Sequence, residues 1–393
     1  LKRIQANFGS ILFFLMAIAG TIRVMLERPV SGHYRIFTGA ARVLLQRMDP
    51  YEYDFQSVGY WFYSPSCGLF FFSLFLWLPD LVGLFLYTAF SIFAIHASVR
   101  YFLNYFSHDH HSHDSIRLRI QWALAFLSIP IYQAVIAAKV ETIIIAAVLF
   151  SMVRWQRKQY GWASLILGLI LDWKFQIAPI AGLVGIILFL ERKTIRPLVY
   201  LGLSTLFWHF LPALYLGWDH LQELFHHQSA SLGGFIAEAY AGFDNLFRFL
   251  HELGWNLSLQ DSLMVSGFAA LISVFIVWFS YRQLQGKRIH LIYLMAICWG
   301  SIFCIGFSPL NQNNASILGT PVFIFAGLWM ADRHHPKMKW VTMAFILFFH
   351  FSYSDLMPVN LRTLLRLYST KSVLILLYGM ILQRKVLEAK TNP

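Results

Sequence analysis

Charge is scarce in this chain. Asp, Glu, Lys and Arg make up only 13% of the residues, against 58% hydrophobic, where a soluble domain carries about 25% charge. An ordinary soluble globule is excluded. Acidic residues are the scarcer sign, 19 against 31 Lys and Arg. The net charge of +12 does not indicate a nucleic-acid partner, because the basic residues gather on no single face. They lie in short clusters between apolar runs, as in cytoplasmic membrane loops. Cysteine is nearly absent, and Cys67, Cys298 and Cys304 lie in or beside apolar runs without metal-ligand spacing. They read as buried thiols, and no metal or other cofactor is expected. There is no soluble domain, low-complexity linker or convincing internal repeat. What abounds is aromatic: 37 Phe, 18 Tyr and 13 Trp, as expected where rings sit in lipid and at its interfaces.

A helical span needs about 20 apolar residues. Candidate spans are 8–26, 81–103, 119–137, 140–154, 160–173, 175–190, 196–216, 263–281, 289–307, 316–331, 339–352 and 370–384. The expected fold is therefore an all-α, polytopic integral membrane protein with about 12 transmembrane helices, forming a single transmembrane domain over 1–393. The first run follows Lys2 and Arg3 and resembles a signal peptide, but its length and the similar runs behind it favour a retained helix.

Placing the N-terminus in the cytoplasm and alternating puts seven basic clusters inside: Lys2/Arg3, Arg100/Arg117/Arg119, Arg154/Arg157/Lys158, Arg192/Lys193/Arg196, Arg282/Lys287/Arg288, Arg333/Lys337/Lys339 and Arg384/Lys385/Lys390. Both termini are then cytoplasmic. Residues 66–78 are apolar but short and end at Pro79-Asp80. A full crossing there would reverse every later loop, so the segment reads as re-entrant or interfacial, with a thirteenth span as the alternative.

Two long segments then lie outside, 27–80 with its re-entrant end and 217–262. Long loops in compact proteins are usually functional or disordered, and the richness in Trp, Tyr and Phe argues against disorder. Residues 34–47 place Ile36, Phe37, Ala40, Val43 and Leu44 on one helical face, with Arg35, Arg42 and Gln46 largely opposite. That pattern suits a helix lying in the interface plane. Asp49, Glu52 and Asp54 follow within six residues, interleaved with Pro50, Tyr51 and Tyr53. Tyr60, Trp61, Phe62 and Tyr63 then rim the re-entry point. Carboxylates beside aromatic rings suit sugars, since acids bond hydroxyls and rings stack on pyranose faces. A solvated acidic loop with interfacial anchors is the competing reading.

Lys139, Glu141, Asp172 and Lys174 fall at outer helix ends. Ionisable groups at membrane depth are costly and mark functional candidates, although at headgroup level the cost is small. Ser308, Asn311, Gln312, Asn313 and Asn314 form a polar turn before helix 316–331, suited to sugar hydroxyls or to an anion at the helix start, or to plain capping. His108, His110, His111 and His113 match no common closed metal site and read as a solvated loop. His226 and His227, in the second outer segment, read as interfacial residues or as ligands.

The order of these features resembles the polyprenol-phosphate-dependent mannosyltransferases of glycosyltransferase family 87, which have the GT-C membrane fold. The resemblance rests on Asp49-Pro50-Tyr51 after the interfacial helix, Tyr63-Ser64-Pro65, a polar turn before residue 142, Lys174 after a helix containing Gly168, and Ser308-Pro309 before a helix containing Pro321. It implies sugar transfer from a polyprenyl-phosphate donor on the outer face, with inversion and no metal. It also implies a lipid or glycan acceptor and a home in the bacterial inner (plasma) membrane, among membrane lipids. The family's acidic base at the start of the interfacial helix is His33 here. Its Gly-Gln-x-Asn turn is Ala138-Lys139-Val140-Glu141, and its histidine after Ser-Pro is Asn314.

The expected chemistry is displacement at the anomeric carbon of a lipid-phosphate sugar. His33, Asp49, Glu52 or Asp54 takes the acceptor proton. Lys174, backed by Arg35 and Arg42, meets the leaving phosphate. Tyr51, Tyr60, Tyr63, Lys139, Glu141, Ser308, Asn311, Asn313 and Asn314 are the other expected substrate contacts. Two alternatives stand: a transporter or flippase for a lipid-linked or small polar substrate, and an inactive scaffold that kept the transferase fold.

Overall fold

The computed structural model describes residues 7–26, 32–53, 61, 63–107, 113–239, 246–255, 258–284, 289–306, 315–331, 336–351, 358–367 and 370–388. Their regular elements are all helices, with no strand among the described residues. In chain order the helices are α1 (Phe8–Leu26), α2 (Gly32–Leu45), α3 (Asp80–Ser107), α4 (His113–Ile136), α5 (Glu141–Gln156), α6 (Tyr160–Trp173), α7 (Ala178–Arg192), α8 (Arg196–Phe210) and α9 (Ala213–Leu216). They continue as α10 (Trp218–Ala239), α11 (Leu246–Glu252), α12 (Leu259–Gln283), α13 (Ile289–Gly306), α14 (Thr320–Ala331), α15 (Pro336–Phe351), α16 (Val359–Leu367) and α17 (Thr370–Glu388).

Among the described residues, five stretches are long and apolar enough to cross a bilayer unaided: Phe8–Leu26, Asp80–Phe106, Ser115–Ile136, Arg196–Leu216 and Met264–Gln283. A sixth results if the bent pair Val359–Leu365 and Thr370–Arg384 acts as one span. Helices α6, α13 and α14 are apolar but shorter, and at 1.5 Å per residue the 14 residues of α6 reach about 21 Å, short of a ~30 Å hydrocarbon core. The peripheral spans keep their apolar side chains on the outside: only 28% of the Phe8–Leu26 window and 17% of the Arg196–Leu216 window are buried. Lipid is as apolar as a protein core, so such helices are held by close packing rather than by hydrophobic exclusion.

That packing uses small residues. Helix α1 lies against α4, where a Cβ on Gly9 would fall 1.7 Å from the Gln121 carbonyl oxygen. Helix α6 lies against α8, α3 against α5, and α14 against α4. Helices α13 and α7 form a further pair, with α17 and α12 also against α13.

Helix α2 buries Tyr34, Ile36, Phe37, Ala40, Ala41, Val43 and Leu44 while Arg42 stays exposed, the face separation its sequence pattern gives. Residues 66–78 do not form a spanning helix. They make a π-turn at Cys67–Phe71 and a 3-10 turn at Phe72–Phe75 before Pro79, packed against α2. The segment 217–262 carries α10, 22 residues long, where a loop was expected. Gly217, at φ +86, turns the chain into it, and Leu221 and Leu224, three apart on one face, are fully buried.

Candidate active site

The turn joining α4 to α5 is set by backbone geometry. Lys139 N donates to Ala134 O at 2.8 Å and Ala138 N to Val135 O at 3.0 Å, the two bonds of a Schellman cap. Ala138 takes the left-handed position at φ +46, a conformation costing an L-residue about 1–2 kcal/mol. The Tyr87 hydroxyl donates to the Ala138 carbonyl at 3.2 Å and holds the turn. Lys139 is thereby buried. Glu141 becomes the first residue of α5, where a carboxylate meets the positive end of the helix dipole.

Lys174 approaches from the end of α6. Its backbone is extended, at φ −146 and ψ 91, which ends the helix and turns the side chain to Glu141. The ammonium donates to Glu141 Oε1 in a buried ion pair, with side-chain exposures of 13% and 2%. The other carboxylate oxygen, Glu141 Oε2, is buried with no hydrogen-bond partner among the described residues. The Lys174 ammonium also lies over the Tyr63 ring, 5.9 Å from its centroid. His33, on the first turn of α2, is in the field of Lys139, Glu141 and Lys174. Burial, and next the Lys139 charge, lower its pKa to about 4. Burial also lowers the pKa of Lys139, with Glu141 opposing.

Tyr63 links this group to the acidic segment. Its carbonyl accepts from the Tyr51 hydroxyl at 2.7 Å, and Asp49 Oδ1 caps Tyr51 N at 2.7 Å. Asp49 Oδ2 is bonded to His227 Nδ1 on α10. Asp49, Glu52 and His227 bring three donor atoms within 4.8 Å of one another, the set among the described residues with metal-ligand chemistry. Ser64 and Ser66 flank Tyr63's far side, and both hydroxyls donate to Asp172 Oδ2, the former at 2.7 Å. The other Asp172 oxygen meets His209 Nδ1 at 2.8 Å, and the His209 ring stacks on Phe225 at 4.0 Å. Around these groups stands an aromatic wall. Phe37 stacks on Phe72 at 4.4 Å, and Trp61 meets Phe37 at 5.7 Å and Tyr63 at 5.4 Å.

Of the residues singled out in the sequence, His33, Tyr63, Lys139, Glu141 and Lys174 form one group. Tyr51 adjoins it, with Asp49 behind, engaged by His227. Glu52 is exposed, Arg42 is exposed and Arg35 half-buried. Asp54, Tyr60, Ser308, Asn311, Asn313 and Asn314 lie outside the described residues, as do His108, His110 and His111. Sequence reasoning missed His209, which sits inside the apolar run 196–216. The available signal was a single histidine near the same end of a span as Asp172.

The described residues form a helical bundle with several helices of membrane-spanning length and a buried Lys174–Glu141 ion pair at one end. The family model of glycosyltransferase family 87 matches residues 61–309, well over half of the chain, and the protein belongs to that family. It is accordingly an integral membrane protein and a membrane glycosyltransferase. No curated protein matches the chain.

Proposed function

We propose that this protein moves a sugar, mannose or another hexose or pentose, from a polyprenyl-phosphate donor to a lipid or glycan acceptor at the extracytoplasmic face. The supporting observation is the meeting of His33, Lys139, Glu141 and Lys174 beside the Tyr63 ring. In a single displacement the acceptor oxygen bonds to the anomeric carbon, the bond from that carbon to the phosphate oxygen breaks, and the configuration inverts. The acceptor proton goes to the base. Polyprenyl phosphate leaves with its negative charge facing Lys174 and Lys139. Electrostatic stabilisation of developing charge in a water-poor site is commonly the largest contribution to catalysis.

His33 is our first choice for the base. It is neutral at pH 7, and a neutral imidazole can accept a proton. Burial first and then the two facing lysines keep its basicity low, and a bound phosphate that neutralises the lysines raises it. Glu141 positions Lys174, and the half-buried Tyr63 ring meets the sugar, backed by the buried Tyr51 and Trp61. Asp49 ranks behind His33 because its oxygens already serve Tyr51 and His227.

About a dozen crossings follow if the short apolar helices complete their spans with flanking residues, with both termini cytoplasmic by the distribution of Lys and Arg. In a bacterium the enzyme would sit in the plasma membrane. The test is to offer radiolabelled polyprenyl-phosphate sugars to membranes carrying the chain. A labelled product that disappears with Lys174→Met is expected. No product from any donor would overturn the transferase reading.

A further inference from the structure

At the opposite end of the bundle, helices α1, α3 and α4 surround a cavity of about 360 Å³ lined by Arg100, Arg117, Asn7, Asn104, Ser10 and Gln121. No carboxylate is among the described residues of its lining. Arg117 donates to Asn7 Oδ1 at 3.1 Å. Gln121 Oε1 accepts from Ser10 N at 2.9 Å, so the two helices are tied together at the cavity wall. Arg100, Arg117, Asn7 and Asn104 are exposed, so the cavity is open to the surroundings on the side of both arginines. Helix α4 fixes its depth. Gln121 and Ile136, at the α4 end nearest Lys139, are 15 residues apart along one helix, roughly 23 Å at 1.5 Å per residue. The cavity and the Lys139–Glu141 turn therefore sit near opposite faces of a ~30 Å hydrocarbon layer.

We infer that this cavity binds the phosphate-bearing headgroup of an anionic phospholipid in the leaflet opposite the transferase site. The lining has the required chemistry. Two guanidinium forks match phosphate oxygens, and the amides and hydroxyl suit a glycerol or sugar headgroup. Basic pockets between spanning helices on the cytoplasmic side are where acidic headgroups are held. Arg100 and Arg117 belong to a basic cluster whose bias already favours that leaflet. The ligand would bridge three helices and brace the α1–α4 pair, on whose far end the Lys139–Glu141 turn is built.

Binding is read by thermal unfolding of the purified full chain in neutral detergent, titrated with phosphatidylglycerol, phosphatidylcholine or inorganic phosphate. Phosphatidylglycerol should raise the midpoint and phosphatidylcholine should not. Arg100→Gln and Arg117→Gln should each weaken the phosphatidylglycerol effect about fivefold, the worth of one basic residue near an acidic surface. Arg157→Gln, which removes a cation lying over Tyr101 and Tyr105 outside the cavity, should leave it unchanged. Arg100 is exposed, so its variant tests the site even if Arg117→Gln loosens the tie to Asn7. Equal effects of the two lipids, or wild-type binding by Arg100→Gln, would overturn the inference. Protection by inorganic phosphate as strong as by phosphatidylglycerol would replace the lipid with a soluble phosphate.

Discussion

Lys174 closes a buried ion pair on Glu141 across 33 positions of sequence, joining the end of α6 to the start of α5. Removing one member of a buried pair leaves an uncompensated charge and costs about 3–5 kcal/mol, whereas removing both can be neutral. Glu141→Gln should therefore lower stability more than Lys174→Met, because it removes the carboxylate that faces both Lys174 and Lys139, and the double variant should recover only the Lys174 part of that loss. Turnover should behave differently. If Lys174 meets the leaving phosphate, Lys174→Met lowers it about 100–1000-fold, and the double variant stays inactive despite its partly recovered stability. Wild-type turnover in Lys174→Met would remove Lys174 from the chemistry.

His33 carries the pH dependence of the site. Its pKa is lowered to about 4 by burial and by Lys139, against about 6.5 in an unfolded chain. Between those values the unfolded state binds more protons than the folded one, so stability falls as pH drops from 6.5 towards 4. His33→Gln should flatten that slope. In catalysis the acid limb of kcat/KM, which reports the free enzyme, should lie nearer pH 4 than 6.5. The limb of kcat should move upward, because bound phosphate offsets the lysines. Substituting His33, Asp49, Glu52 and Asp54 singly identifies the base: His33→Gln should cost about 100–10,000-fold, and a larger loss in any of the other three would transfer the role.

The legible part of this architecture was whatever leaves a local pattern. Helix α1 occupies the run 8–26, α6 occupies 160–173, and the two-faced pattern of 34–47 corresponds to α2. Residues 66–78 were too short to span, and they form tight turns instead. Lys139, Glu141 and Lys174 stood out because charge beside a span is costly. Helix α10 was not legible, because its polar run from Asp219 to Ser229 hides the i, i+3 pair Leu221 and Leu224. The Asp172 cluster was not legible either. Its partners Ser64, Ser66 and His209 come from distant segments, and only tertiary packing brings them together.

The bond between Asp49 and His227 ties the acidic segment to α10. Hydrogen bonding to Asp49 raises the His227 pKa. A raised histidine stabilises fully below its unfolded pKa of about 6.5, and that contribution is lost as pH rises through the folded value. The thermal midpoint should fall across that alkaline window in the wild type, and His227→Asn should abolish the step. The same residues address metal dependence. A protonated His227 is no metal ligand, so EDTA should leave transfer unchanged at pH 6. A loss restored by a divalent cation would instead assign a metal to Asp49, Glu52 and His227.

Gly168 tests how tightly α6 is seated, and with it Asp172 and Lys174 one turn or more along the same helix. A Cβ there would lie 2.7 Å from the Ser204 Cβ and 2.8 Å from its backbone carbonyl carbon. The Ser204 hydroxyl can rotate away, but its Cβ and backbone cannot without moving α8. Gly168→Ala should therefore cost about 1–3 kcal/mol, the usual range for overpacking, read as a lowered thermal midpoint in detergent. Ser204→Gly in the same chain removes the side-chain conflict and leaves the backbone one, so it should restore only part of the loss. Displacement of α6 should also reduce turnover, because Lys174 follows its last turn. A Gly168→Ala variant with wild-type stability would mean that α6 and α8 are not in backbone contact there, and that the position of Lys174 is set by the Phe175–Ile177 turn alone.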